Sequence, residues 1–124
     1  MRSWRDVGLG LMAAVAALLL PPTAALACPG QTQLDMNACA EADYKRADAD
    51  LNAYWRPVKA HYDAIGAGDV LLDAQRKWLA FRDAACAAET APYAGGSILP
   101  LVHWTCLARL TWARADDLRA LMPN

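Results

Sequence analysis

Four cysteines constrain this chain more than any other feature, because the compartment decides what they become and their pairing decides which segments are neighbours. They stand at Cys28, Cys39, Cys86 and Cys106. Upstream of the first, Arg2 and Arg5 precede an apolar run of 14 residues from Val7 to Leu20, and Pro21-Pro22 then leads into small residues ending Ala25-Leu26-Ala27. A basic start, an apolar centre and an A-x-A cleavage motif read as a secretory signal peptide over residues 1–27. The apolar run falls short of the about 20 residues that a membrane-spanning helix needs, and no later stretch is long and apolar enough to span. The expected product is one domain, residues 28–124, periplasmic or secreted, where thiols oxidise in pairs.

A cysteine directly after a cleavage site raises lipid anchoring as an alternative. Two observations weigh against it. The lipoprotein motif wants Leu or a similar residue three positions before the cysteine, where Ala25 stands, and acylating Cys28 would leave three cysteines, an odd set in an oxidising compartment. The twin-arginine export route lacks its adjacent Arg pair.

The whole chain carries 12 Lys and Arg against 13 Asp and Glu. Removing residues 1–27 takes away Arg2, Arg5 and Asp6, so the remaining 97 residues hold 10 basic and 12 acidic side chains, a net charge of −2. No basic stripe appears, which argues against nucleic acid as a partner. A domain of this length folds alone but gains from cross-links. Four cysteines permit three pairings, and sequence alone leaves the choice open. Spacing favours Cys28 with Cys39, which would staple the new N-terminus onto the first helix, and Cys86 with Cys106, which would tie two successive helices. Each closure is worth about 3 kcal/mol in the chain-entropy model, so the cysteines read as structural rather than catalytic.

Only helical periodicity is found along the chain. Thr32 with Asp35 forms a weak capping box, and apolar or aromatic residues then recur at Tyr44, Ala47, Leu51, Tyr54 and Trp55, Val58, Tyr62 and Ile65. Glu41, Lys45, Asp50 and Lys59 occupy the opposite, solvated face. Pro57 lies inside this pattern, where a proline costs about 3 kcal/mol unless the helix bends or breaks, so a kink is expected near Ala53–Pro57. Gly66 and Gly68 end the helix, and Asp69 is expected to cap a second one running to about Ala88. On that helix Leu71, followed by Ala74, Trp78, Phe81 and Ala85 of the stretch AQRKWLAFRDAAC (residues 74–86), forms an expected core stripe bordered by Gln75, Arg82 and Cys86. Residues 89–97, ETAPYAGGS, read as a loop. Ser97 is the expected cap of a third helix carrying Pro100 in its first turn, with Leu101, Trp104, Thr105, Ala108, Trp112, Ala115, Leu118 and Met122 at helical spacing.

The expected fold is all-α: a small antiparallel bundle of three helices, four if Pro57 breaks the first, tied by two disulfides. Arg82 and Asp83 are sequence neighbours on a helix and diverge in direction, so Arg82 is expected to reach a carboxylate or helix-end carbonyls on another helix. Asp48 is the expected partner, which makes Arg82 and Asp48 structural polar residues.

The run from Cys28 to Leu118 resembles the LprI-like lysozyme-inhibitor domain family of small exported bacterial helical proteins. The resemblance is carried by Cys28 with Thr32-Gln33, Met36-Asn37-Ala38-Cys39, Asp48 with Leu51-Asn52, and Leu72 with Ala74-Gln75 and Trp78. It continues through Phe81-Arg82-Asp83 with Cys86, Gly95-Gly96-Ser97, and Cys106 with Leu110-Thr111, Arg114 and Leu118. Trp55, where such domains more often have tyrosine, and Pro57 depart from the pattern. The resemblance implies an exported protein-binding module that inhibits lysozyme, a peptidoglycan muramidase. The alternative is a periplasmic adaptor or immunity-type binding protein of other specificity. Lysozyme presents an acidic cleft on a basic body, so an inhibitor gains from an acidic surface and a narrow projection. Asp35, Glu41, Asp43, Asp48 and Asp50 against Lys45 and Arg46 supply the first in modest degree. The loop can supply the second: Tyr93 is an aromatic anchor, Gly95 and Gly96 permit close backbone approach, and Ser97 offers a hydroxyl.

Enzyme chemistry finds little support. The cysteines are expected to be consumed as cross-links, and His61 and His103 sit on different helices outside any metal-binding spacing. Asp116 and Asp117 are adjacent on a helix and point apart, which suits solvation better than acid–base work. No catalytic residue, metal or cofactor is expected.

Overall fold

The computed structural model describes Cys28 and residues 30–123; the signal-peptide reading lies outside the described residues. Three helices follow one another: α1 spans Gln33–Ala64, α2 spans Gly68–Thr90 and α3 spans Leu99–Ala120, with a 3₁₀ turn at Ala91–Tyr93 between the last two.

Thr32 starts α1 through the expected capping box. Its hydroxyl accepts the Asp35 N–H at 3.1 Å, and the Asp35 carboxylate accepts the Thr32 N–H at 3.3 Å, so two otherwise orphaned donors are satisfied. The helix runs through Pro57 as one element of 32 residues, so the four-helix alternative does not hold. Pro57 and Ala53 are both exposed, which leaves water to solvate the carbonyl that Pro57 cannot serve. The end comes at Gly66, whose φ of +76° carries the chain out of the helix while Ala67 N–H donates back to Tyr62 C=O at 2.8 Å.

Two expected caps are not used. Ala67, not Asp69, is the N-cap of α2; Asp69 sits in the first turn, where its negative charge still faces the positive helix end. Ile98, not Ser97, precedes α3, and Pro100 occupies the first turn as expected. The loop read over residues 89–97 is shorter than expected, because α2 continues to Thr90 and the 3₁₀ turn follows.

α1 and α3 make the most extensive helix contact. They run in the same direction: Asn37 lies beside Ser97, Tyr44 stacks on Trp104 with centroids 5.4 Å apart, and Val58 shares a cluster with Leu118. Ala47, Ala108, Thr111 and Ala115 are all buried in this contact region, and small side chains there let two backbones approach closely. α2 runs antiparallel to both. One apolar cluster holds Leu51, Val58, Leu71, Ala115 and Leu118, with Trp55 and Trp78 packed against it; a second surrounds Cys86, Cys106 and Leu107.

The disulfides are Cys28–Cys39 and Cys86–Cys106, the pairing that spacing favours. The core stripe of α2 is turned from the expected one. Leu71, Gln75, Arg82 and Cys86 are buried and Trp78 half-buried, whereas Ala74 is exposed and Phe81 is 61% exposed. Ile65, Thr105 and Trp112 are likewise exposed. Arg82 displaces Phe81 because its stem packs in the interior while its guanidinium lies over two rings, 5.3 Å from the centre of Trp78 and 5.7 Å from that of Tyr44.

Candidate functional site

The connection between α2 and α3 projects from one end of the bundle, and residues 91–98 are all exposed. Its base is fixed from several sides. Thr90 donates its hydroxyl to the Cys86 carbonyl at 2.8 Å, Glu89 pairs with Arg109 at 2.7 Å, and the Cys86–Cys106 disulfide ties the two helices directly beneath. From α1, the Asn37 side chain donates to the Ser97 carbonyl at 3.3 Å while accepting from Gln33 Nε2 at 2.8 Å. The Cys28–Cys39 staple brings the N-terminal segment to this same end.

Within the projection, Tyr93 is 42% exposed. Its carbonyl accepts the Gly96 N–H at 3.0 Å, and Leu99 N–H donates to the Gly96 carbonyl at 3.2 Å, so successive turns shape the loop. Gly95 adopts φ +78°, in the left-handed region that costs glycine little. A Cβ on Gly96 would stand 3.2 Å from the Tyr93 carbonyl, so the tight turn also favours glycine there. Ser97 caps no helix, which leaves its hydroxyl exposed and without a capping role. The geometry brings Tyr93, Gly95, Gly96 and Ser97 together as one projection, and apolar Leu34 and Ile98 are exposed at the same end.

Arg82 and Asp48 are arranged differently from expectation. Arg82 Nε donates to Asp83 Oδ1 at 3.0 Å, Nη2 lies 2.9 Å from the same oxygen, and Nη1 reaches the buried Thr111 hydroxyl at 3.5 Å. The adjacent pair forms because the long guanidinium arm curls back along the helix to meet the shorter carboxylate. Asp48 instead accepts from Asn52 Nδ2 at 3.2 Å. Both still line one open groove of about 390 Å³ between α1 and α2, with Leu51, Leu72, Gln75 and Trp78. Those six all belong to the residues that carry the family resemblance.

Sequence reasoning missed Asn37, Glu89 and Arg109 as loop anchors. A hint was present for Asn37, which lies in the Met36–Cys39 resemblance motif; the Glu89–Arg109 pair depends on how two helices face each other and has no local signature. His61 lies in the last turn of α1 and His103 beside Trp104 near the start of α3, at opposite ends of the bundle. Among the described residues no three His, Cys, Asp or Glu side chains gather as a metal site would require. No described helix is long and apolar enough to cross a membrane.

A family model described as "Lysozyme inhibitor LprI" matches residues 26–118. An uncharacterized protein of Rhizobium meliloti (strain 1021) is 38% identical over 105 residues, covering 75% of this chain and 76% of that protein. No solved structure matches the chain significantly.

Proposed function

The chain belongs to the LprI lysozyme-inhibitor family, and from that membership we propose that it is an exported protein-binding module that inhibits lysozyme by seating the Tyr93–Ser97 loop in the enzyme's cleft. The observation that carries this reading is the projection itself: eight consecutive exposed residues on a base held by a disulfide, an ion pair and a bond from a third element. A loop ordered before binding loses less conformational freedom on association, so more of its contact energy appears as affinity. In this reading Tyr93 supplies area at low entropy cost, the paired glycines let the backbone approach closely, and the exposed Ser97 hydroxyl donates to a carboxylate of the cleft.

The disulfide at Cys28 supports a mature chain released from the membrane, because one sulfur cannot form both a disulfide and a lipid thioether. Mass spectrometry of the mature N-terminus checks this directly, with an unacylated Cys28 expected.

The functional test titrates the mature protein into assays of c-type, g-type and i-type lysozymes beside a Tyr93→Ala, Ser97→Ala double variant. Inhibition of at least one class is expected, with the variant roughly tenfold weaker or worse, about 1.4 kcal/mol in binding. Absence of inhibition in every class at tens of micromolar, about −6 kcal/mol, would sink the reading and leave an adaptor or immunity-type role. Full inhibition by the double variant would move the contact elsewhere on the surface.

A further inference from the structure

The groove between α1 and α2 lies along the side of the bundle, away from the loop. Its walls are apolar and aromatic, with Trp55 and Trp78 beside Leu51 and Leu72. At its base lies Arg82, whose side chain is only 10% exposed. A guanidinium has five N–H donors and a planar fork suited to both oxygens of a carboxylate. Here both Asp83 contacts fall on a single oxygen, and the Asp83 side chain is 64% exposed, so water competes for it. The fork is therefore not filled by a two-oxygen partner.

The charges nearby reinforce this. Arg76 lines the same groove, and Arg114 sits 5.9 Å from the Trp78 ring centre while donating to Gln75 at 2.9 Å. Two guanidiniums thus lie over Trp78 and a third lines the groove, against the carboxylates of Asp48 and Asp83. The local balance is positive on a protein whose described part is net acidic. A cavity of about 390 Å³ falls within the usual range for small ligands, predominantly apolar with a few convergent polar groups.

We infer that this groove binds a small amphiphilic carboxylate: its ring or alkyl body lies between Trp55 and Trp78, and its carboxylate takes the Arg82 fork with Arg76 at the rim. Asp48 and Asn52 on the facing wall hydrogen-bond any hydroxyl or amide that the body carries. Asp83 swings toward water as the ligand's two oxygens replace its one. This site is separate from the loop and does not depend on lysozyme binding.

The test uses the full mature protein with hydrocinnamate as the probe, and hydrocinnamide as its neutral isostere. Tryptophan fluorescence and amide chemical shifts are followed through the titration. Saturable binding is expected, with the amide roughly tenfold weaker or worse, shifts confined to residues around positions 48–55 and 72–82, and loss of affinity in both Trp55→Leu and Arg76→Gln. Phe81→Ala, on the outer face of α2, is expected to bind as the parent does. Equal response to acid and amide, no saturation up to about 10 mM, or parental affinity in Trp55→Leu would each overturn the site. Arg82→Lys, which keeps the charge but loses the fork, is expected to bind more weakly; should it not fold, the other variants still decide.

Discussion

Leu118 and Phe81 are both large apolar residues on helical stripes, yet one is fully buried and the other is 61% exposed. Two stripes are possible on α2, because Ala74, Phe81 and Ala85 repeat at helical spacing as well as Gln75, Arg82 and Cys86 do. Polarity points to the first. The disulfide points to the second: Cys86 must face α3 to reach Cys106, and Gln75 and Arg82 share its face. The second arrangement prevails because Arg82 and Gln75 bury their polar ends with partners, Thr111 and Asp83 for one and Arg114 for the other. Leu118→Ala is therefore expected to cost about 2–5 kcal/mol through lost burial and a residual cavity. Phe81→Ala is expected to change stability by no more than about 0.5 kcal/mol. Urea denaturation of the two variants measures both, and a Phe81→Ala cost as large as that of Leu118→Ala would return Phe81 to the core.

At the scale of elements, α1 decides the shape, since both other helices pack along it. It is continuous through Pro57 because the position and the Ala53 carbonyl behind it are exposed, so solvent is free to take the lost backbone bond's place and the ring is not forced into the core. Helix-breaking strength read from sequence assumes that the missing bond has no substitute, and here solvent is one. Replacing Pro57 with Ala restores the Ala53 carbonyl's partner and is expected to raise stability by about 1–3 kcal/mol, partly offset by a freer unfolded chain. A rise in the thermal midpoint with unchanged loop behaviour is the result to look for, and a fall would mean that the proline sets a bend on which packing depends. The start of α1 was legible because a capping box is local, each partner three residues from the other. The starts of α2 and α3 were not, because both follow tight turns whose geometry leaves the expected Asp69 and Ser97 side chains out of reach of the first free N–H groups.

At the scale of the whole molecule, the two disulfides differ in access. Cys86 and Cys106 are both fully buried between helices, whereas Cys28 is exposed. Native-state treatment with a mild thiol reductant, followed by alkylation and peptide mapping, is expected to label Cys28 and Cys39 well before Cys86 and Cys106. Opening the inner bond should then lower stability by about 3 kcal/mol, and labelling of all four sulfurs together would refute the difference. The sequence by itself determined the helical class, the start of α1 and the position of the connecting loop, and it favoured the cysteine pairing by spacing, because each rests on periodicity, on a local cap or on a short covalent reach; the count of three helices and the pairing itself were settled by the structure. Only the tertiary structure decided which face of α2 turns inward, which partner Arg82 takes, what holds the loop's base and that a groove exists at all. Those depend on how three helices rotate about their axes against one another, and rotation is set by the packing of side chains far apart in the chain.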